Sequence, residues 1–366
     1  MNEVIIAYIT DDNYVMPTIV SITSAIMNKN ENSIYKIYII GVSVNNGNKK
    51  ILNEFIAKNI NDRIHIEILH FNQHYNFVLE YSYLTSAAIF KFDIANILSD
   101  CDKILYIDCD TIILKDLTEL FNIDINEYYA AVVKDYYVME ILKYNEKICI
   151  KNYFNSGVML LNTKVLRENN VREILLDYRN KNYDMFMEQD TLNCIFNGKT
   201  KFIHPKYNYI IDTIQKIDSN ILSEFYEADI NEPVVIMHLA GPKPFIKDMP
   251  YIDYFYYFYQ YYQYTDYFKN NPIWAINKIA EQKVKSLENK INEKLNILET
   301  EANKKYSENW VRLFGIYNTR EYLIFYFFGI KISFRMNEER VNKLAWWIPF
   351  KKLRENFRNK FRSYYD

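Results

Sequence analysis

Seven short apolar runs recur through the first 250 residues, and they constrain the fold more than any other feature. Residues 4–9, 35–40, 64–69, 104–107, 130–133, 158–161 and 234–237 have strand length and strand composition. Helix-period stretches lie between several of them, as at 17–27 and 49–59. This alternation predicts an α/β fold around a mixed, mostly parallel sheet. Such sheets bind ligands beyond the carboxyl ends of their strands, so chemistry is expected just after each apolar run.

The strongest chemical signal follows the fourth run, where Ile104-Leu105-Tyr106-Ile107 ends in Asp108-Cys109-Asp110-Thr111. Two carboxylates at a strand end are hard oxygen ligands suited to Mg²⁺ or Mn²⁺. Strand alternation alone would point them to opposite faces, so the chain must bend if both are to reach one ion. An exposed strand end before a helix is the plainer reading, and Asp116 with Glu119 look like a helix-cap pair. A strand followed by D-x-D-x-T also resembles the first motif of haloacid-dehalogenase-like phosphatases. About 100 residues of α/β sequence precede it here, and no Asp-Asp pair follows it.

Three further segments stand at run ends or helix starts. Thr10-Asp11-Asp12-Asn13-Tyr14 offers acceptors for a base or ribose and a ring to cover the base, or else an ordinary helix cap. No glycine-rich phosphate fingerprint accompanies it, which disfavours a Rossmann dinucleotide site. Met187-Glu188-Gln189-Asp190-Thr191 opens a helix, with capping as the alternative. His238-Leu239-Ala240-Gly241-Pro242-Lys243 pairs a metal-competent imidazole with a glycine that permits close backbone approach and an ammonium for phosphate oxygens. The other histidines, His65, His70, His74 and His204, read as structural.

A chain of 366 residues suggests about two domains. With 49% apolar and 25% charged residues, wholesale disorder is excluded, and seven Gly with eight Pro exclude collagen-like architectures. The net charge of −2 excludes a uniformly basic nucleic-acid binder, so no nucleic-acid partner is expected. Charge is uneven: residues 340–366 carry eight basic against two acidic side chains, +6, so the preceding residues carry −8. Cys101, Cys109, Cys149 and Cys194 form no C-x-x-C pair and no zinc spacing. The start lacks the features of a signal peptide, and the longest apolar run near the end, nine residues at 322–330, is short of the ~20 that span a bilayer. A reduced, cytoplasmic protein is expected.

Composition changes near Pro272. From 273 to about 306 the sequence is polar and helical, with Val284, Leu287, Ile291, Leu295, Leu298 and Ala302 at steps of three and four. A docking or linker helix is the plainer reading; a self-associating coiled coil is the alternative, with fewer than three clean heptads to support it. Residues 325–334 read as a short strand or a hairpin around Gly329. The last segment places Trp346, Trp347, Phe357, Phe361, Tyr364 and Tyr365 among Lys351, Lys352, Arg354, Arg358, Lys360 and Arg362. Such a segment suits an anionic membrane surface, or a helix packed on the acidic body.

Taken in order, the segments around residues 7–14, 102–111, 154–162, 188–193 and 238–245 resemble the retaining glycosyltransferases of family 8, over roughly residues 3–250. Any one segment is modest evidence; five in order are specific. The resemblance implies a GT-A nucleotide-sugar-binding domain at 1–250 and a helical, basic C-terminal extension at 251–366. It implies a UDP-hexose donor (galactose or glucose), Mn²⁺ with Mg²⁺ as the alternative, and an oligosaccharide or lipid-linked glycan acceptor, as in lipopolysaccharide or capsule assembly. Asp108, Asp110 and His238 match the family's metal ligands; Asp11, Asn13 and Tyr14 its uridine contacts; Gly241 and Lys243 the loop over the diphosphate. Asn155 and Glu188 fall where the donor sugar is held, Gln189 beside the reacting carbon with Asp190 to orient it, and Asp135 near sugar and acceptor. Lys91 stands where the family often has Arg, keeping charge but losing the planar fork. Glu188 stands where Asp is common. Peripheral attachment to the inner face of the cell membrane through the tail is expected, and a catalytically silent sugar-nucleotide-binding or interaction protein is the competing class.

Overall fold

The computed structural model describes residues 2–71, 86–142, 152–182, 186, 188–246, 249, 252–270, 272–318, 322–327, 330–335, 338–346 and 351–362. His74, Cys149, Met187, Gly329, Trp347, Tyr364 and Tyr365, named above, lie outside them. The chain divides into two compact units, residues 1–284 and 285–366. The first thus extends past residue 250, because Phe255, Phe258 and Tyr262 of the helix Phe255–Tyr262 pack with Val20, Met237 and Leu239.

The first unit is built on a seven-stranded sheet. Its strands are β1 (Asn2–Thr10), β2 (Ser33–Val42), β3 (Ile64–Phe71), β4 (Ile104–Ile107), β6 (Ala130–Lys134), β7 (Phe154–Leu161) and β8 (Thr200–Phe202), in the order β3-β2-β1-β4-β7-β6-β8. Neighbours run parallel except at β7, which is antiparallel to both β4 and β6. The sheet is therefore mixed and mostly parallel. Both faces are covered, as parallel strands require: Val4, Ile6 and Tyr8 of β1 enter one core cluster, while Ala7 and Ile9 enter the other. The same alternation separates Tyr35, Ile37 and Ile39 of β2 from Tyr38, Ile40 and Val42.

A second, three-stranded sheet joins β5 (Thr111–Ile113), β10 (Ile236–His238) and β9 (Tyr209–Ile210), in the order β5-β10-β9. The run at 234–237 belongs here and not to the main sheet. Helix α1 (Val15–Met27) follows β1, and α2 (Asn46–Asn59) follows β2. Pro17 sits in the first turn of α1, where a missing N–H leaves no helical bond unmade. Asn45 caps α2 by accepting from the Asn48 amide.

In the second unit, β11 (Phe314–Asn318), β12 (Tyr322–Phe327) and β13 (Ile330–Arg335) form an antiparallel meander. The expected hairpin is thus present, with Phe327 opposite Ile330. The polar helix runs Pro272–Leu313, longer than the pattern at 273–306 implied, and ends in this unit. Helices Glu338–Trp346 and Lys351–Arg362 follow the meander.

Candidate active site

The two carboxylates meet because the chain changes sheets between them. β4 ends at Ile107, a turn takes Asp108 through Asp110, and β5 begins the second sheet at Thr111. Cys109 turns inward, its Sγ 3.0 Å from the Ile9 carbonyl, and burial pushes its thiol up. The Thr111 hydroxyl donates to the Asp108 carbonyl at 2.8 Å and closes the turn. β10 pairs antiparallel with β5, setting His238 opposite Thr111, while the Leu239 amide donates to the Asp110 carbonyl. His238 Nε2 then lies 3.3 Å from Asp110 Oδ1 and 4.0 Å from Asp108 Oδ2. One donor atom from each of the three residues falls within 4.8 Å of the others.

A chain of buried amides holds this imidazole. His238 Nδ1 is 2.9 Å from Asn208 Oδ1, and Asn208 Nδ2 donates to Asn155 Oδ1 at 2.9 Å. The Gly157 amide donates to the same Asn155 oxygen, and Asn155 Nδ2 donates to Asp135 Oδ2 at 3.0 Å. A carboxylate only accepts, so Asp135 sets the direction of both amides behind it. The proton of His238 is thereby held on Nδ1 and the Nε2 lone pair faces the carboxylates, as a metal-binding histidine needs. Two carboxylate oxygens, one half-buried and one buried, and a buried imidazole nitrogen whose tautomer is set from behind fit a divalent cation.

Gly157 makes the convergence sterically feasible. A Cβ there would lie 2.2 Å from His238 Cε1 and 2.9 Å from Asp108 Oδ2. Gly241 answers a similar constraint away from the ligands, since a Cβ would lie 2.8 Å from Asp212 Oδ2.

Two lysines balance the acids. Lys91 Nζ is 2.8 Å from Glu188 Oε1 and 3.2 Å from Asp108 Oδ1, over the Tyr106 ring. Burial alone would lower its pKa, but Asp108 and Glu188 more than offset this and hold the ammonium charged. Lys243 bonds directly to Asp110 and donates to the Leu239 carbonyl at 3.0 Å. Burial pushes the Asp110 carboxyl up, and the Lys243 ammonium beside it outweighs this, holding Asp110 well below the usual carboxylate range. The Tyr106 hydroxyl donates to Asp108, so this strand residue also belongs to the site.

These groups line a cavity of about 690 Å³. Of the residues expected from sequence, Asp11, Tyr14, Lys91, Asp108, Asp110, Asn155, Glu188, Gln189, His238 and Lys243 line it. Asn13, Asp135, Asp190 and Gly241 do not. Asp135 lies behind the wall, as described. Asp190 accepts from the Tyr153 hydroxyl at 2.5 Å and the Phe186 amide at 2.8 Å, so it anchors the start of the helix Glu188–Ile195. Gln189 is tied at both ends, its Oε1 accepting from the Ser156 amide at 2.9 Å and its Nε2 3.5 Å from Asp135 Oδ2. Asp11 also accepts from the Asn13 and Tyr14 amides and closes the turn ahead of α1, whose N-cap, Tyr14, makes no side-chain capping bond. Asn208, Gly157, Tyr106 and Tyr137 were not expected as site residues. Only the glycine, inside the segment 154–162 that carries the family resemblance, had a signal that could have found it.

A mixed sheet that hands its fourth strand to a smaller sheet, with an Asp-x-Asp turn and a histidine facing one cavity, is the organisation of a GT-A glycosyltransferase. The chain belongs to glycosyl transferase family 8, whose family model matches residues 5–245. It is 27% identical over 257 residues to general stress protein A of Bacillus subtilis (strain 168), spanning 67% of this chain and 89% of that protein. Among solved structures it is similar to the galactosyltransferase LgtC in complex with donor and acceptor sugar analogs. That match has a TM-score of 0.62 at 22% identity and covers 71% of this chain and 95% of LgtC. It is also similar to the glycosyltransferase GlyE of Streptococcus pneumoniae TIGR4, with a TM-score of 0.54 at 19% identity, over 71% and 60% of the two chains. These structural likenesses show the fold.

Proposed function

We propose that this glycosyltransferase is a metal-dependent, retaining hexosyltransferase that moves galactose or glucose from a UDP-hexose to a glycan acceptor. The observation that carries the reading is the convergence of Asp108, Asp110 and His238 on one face of the cavity, with the imidazole's tautomer held from behind. A divalent cation bound there, Mn²⁺ or Mg²⁺, would supply charge neutralisation to the departing diphosphate. Asp108, Asp110 and His238 would hold it. Lys243 adds a second positive charge for phosphate oxygens, while Lys91 pairs with Glu188 and Asp108 and orients both.

Retention commonly suggests a carboxylate nucleophile, as in retaining hydrolases. The residue in that role's place here is Gln189, a poor nucleophile whose amide is tied to Ser156 and Asp135. The reading is therefore attack by the acceptor hydroxyl on the face that UDP leaves, with a departing phosphate oxygen taking the proton. Gln189 would stabilise the cationic sugar centre, and Asn155 and Glu188 would hold the sugar's hydroxyls. Asp11, Asn13 and Tyr14 would receive the uridine, with Gly241 beside Lys243 letting the diphosphate loop approach.

A glycan acceptor in lipopolysaccharide or capsule assembly would place the enzyme at the inner face of the cell membrane. Support for this comes from the helix Lys351–Arg362, which carries six basic residues against one acid, and from the exposed Trp346 before it. Among the described residues no helix is long and apolar enough to cross a membrane. The decisive experiment incubates the protein with a panel of UDP-sugars and Mn²⁺ and reads UDP release and product mass. Release from UDP-galactose or UDP-glucose, lost on chelation, is expected; silence across the panel would favour a binding protein instead. Loss of vesicle co-sedimentation on truncation at Leu344 checks the membrane placement.

A further inference from the structure

We propose that Ser21 and Ser24 of α1 are positioning residues for the metal site: they fasten β5 from its open edge and so keep Asp108 and Asp110 facing His238. The proposal rests on the reading of those three side chains as metal ligands. β5 is an end strand of the second sheet, and its three residues pair with Ile236–His238 of β10. So short a pairing does little to fix its own register, and a slip of one residue would turn its side chains to the other face. The Leu114 amide donates to the Val235 carbonyl just before β10. Backbone groups of successive residues in an antiparallel strand alternate in direction, so those of Ile113 point to the open edge. Ile113 is fully buried, and peptide groups left unpaired there would be costly.

α1 supplies what a neighbouring strand would. Ser24 Oγ accepts from the Ile113 amide at 2.9 Å and donates to the Ser21 carbonyl of its own helix at 2.6 Å. Just past the end of α1, Asn28 Nδ2 donates to the Ile113 carbonyl at 3.0 Å. One turn before Ser24, Ser21 Oγ lies 2.9 Å from Thr111 Oγ1 and 3.2 Å from the Tyr8 hydroxyl. Thr111 in turn donates to the Asp108 carbonyl and closes the turn that carries both acids. A line of hydroxyls thus runs from β1 of the main sheet, through α1, to the metal-binding turn. Ser21 and Ser24 are fully buried, among the buried apolar residues Ile19, Val20, Ile22 and Ala25 of the same helix. A hydroxyl in such a place costs stability unless it is bonded, and alanine is the better helix former. What these two serines secure is the placement of β5, whose register sets Thr111 opposite His238.

Mn²⁺ affinity of the full chain, read from the EPR signal of free Mn²⁺ without turnover, tests this, with urea unfolding of the same variants alongside. T111V keeps the shape of the side chain and removes its hydroxyl; T111S keeps the hydroxyl and removes the methyl. T111V and S21A/S24A should each weaken Mn²⁺ binding about tenfold. T111S should stay within about threefold of the native protein. I22V, which removes a buried methyl from the same helix, should lower the urea midpoint and leave Mn²⁺ affinity unchanged. A merely structural role would instead make affinity follow the urea midpoint across the set. Native affinity in T111V or in S21A/S24A overturns the proposal, as does T111S binding as weakly as T111V; the isosteric T111V decides the matter if S21A/S24A does not fold. A native chain that binds no Mn²⁺ overturns the metal reading itself and this proposal with it.

Discussion

The cavity wall and the long helix use side chains in opposite ways. At the wall, Asp108, Asp110, Lys91, Glu188 and His238 lie in or beside the core, and each has a partner of matching charge or a hydrogen bond. On the helix, leucine and isoleucine face water. Burying a charge is costly unless it is paired, so the wall is committed to one arrangement and tolerates little change. Exposed apolar groups cost the folded chain almost nothing, so that face of the helix tolerates far more. The difference separates residues that fix geometry from residues that the fold leaves unconstrained.

The largest expected effect breaks the wall where charge is densest. D110N removes one carboxylate from beside Lys243 and His238 and should lower transfer on the order of a hundred- to a thousandfold. Steady-state UDP release with saturating Mn²⁺ measures it; turnover near that of the native enzyme would remove Asp110 from the site. N208A should leave the ligands in place but free the imidazole, weakening Mn²⁺ affinity about 10- to 100-fold. Titration calorimetry or the EPR signal of free Mn²⁺ reads this without any turnover, and unchanged affinity would mean that the amide behind His238 is dispensable.

G157A tests the same wall sterically. Its new methyl must displace His238 or the strand, at about 1–3 kcal/mol of stability, read from urea unfolding. Farther from the cavity, Asp116 accepts from the Asn30 and Thr118 amides and the Tyr35 hydroxyl. Burial pushes its carboxyl up, but bonds from Thr118, the Asn30 amide and Ser33 outweigh this and hold it below the ordinary value. A depressed carboxylate stabilises the fold above its unfolded value and loses that contribution as pH falls through the folded one. D116N should therefore cost about 1–2 kcal/mol near neutral pH, with the gap to the native protein closing below about pH 4 in a thermal-melt series. Smallest of all, L295A should shift the stability of the dilute protein by less than about 0.5 kcal/mol. A larger loss would show that this face is packed within a single chain and would erase the contrast.

Much of this was legible in the sequence, for identifiable reasons. The runs at 4–9, 35–40, 64–69 and 104–107 stand out because strands buried on both faces need nearly unbroken apolar text, and β1 to β4 lie there. Strand direction was not legible, since a period of two is the same read either way; β7 runs antiparallel for that reason unseen. The run at 234–237 was found but could not be assigned to a sheet, because three residues carry too little pattern. Asp108, Asp110 and His238 were legible as types of ligand placed at run ends. Asn208 was not, because an asparagine between two tyrosines looks like any loop residue until a histidine is seen behind it. Nor were the partners of Asp190 legible: Tyr153 and the Phe186 amide, which the fold brings to it, lie 37 and 4 residues away in the sequence.

The amides behind His238 have a further consequence. Neither Asn208 nor Asn155 prefers one orientation of its own, since each could turn over and present nitrogen where oxygen now sits. Asp135 acts as the compass for both, and the Gly157 amide repeats its reading. With an asparagine at 135, the Gly157 amide alone would hold the row to its present sense. In the opposite sense the histidine would turn a proton, not a lone pair, toward the acids.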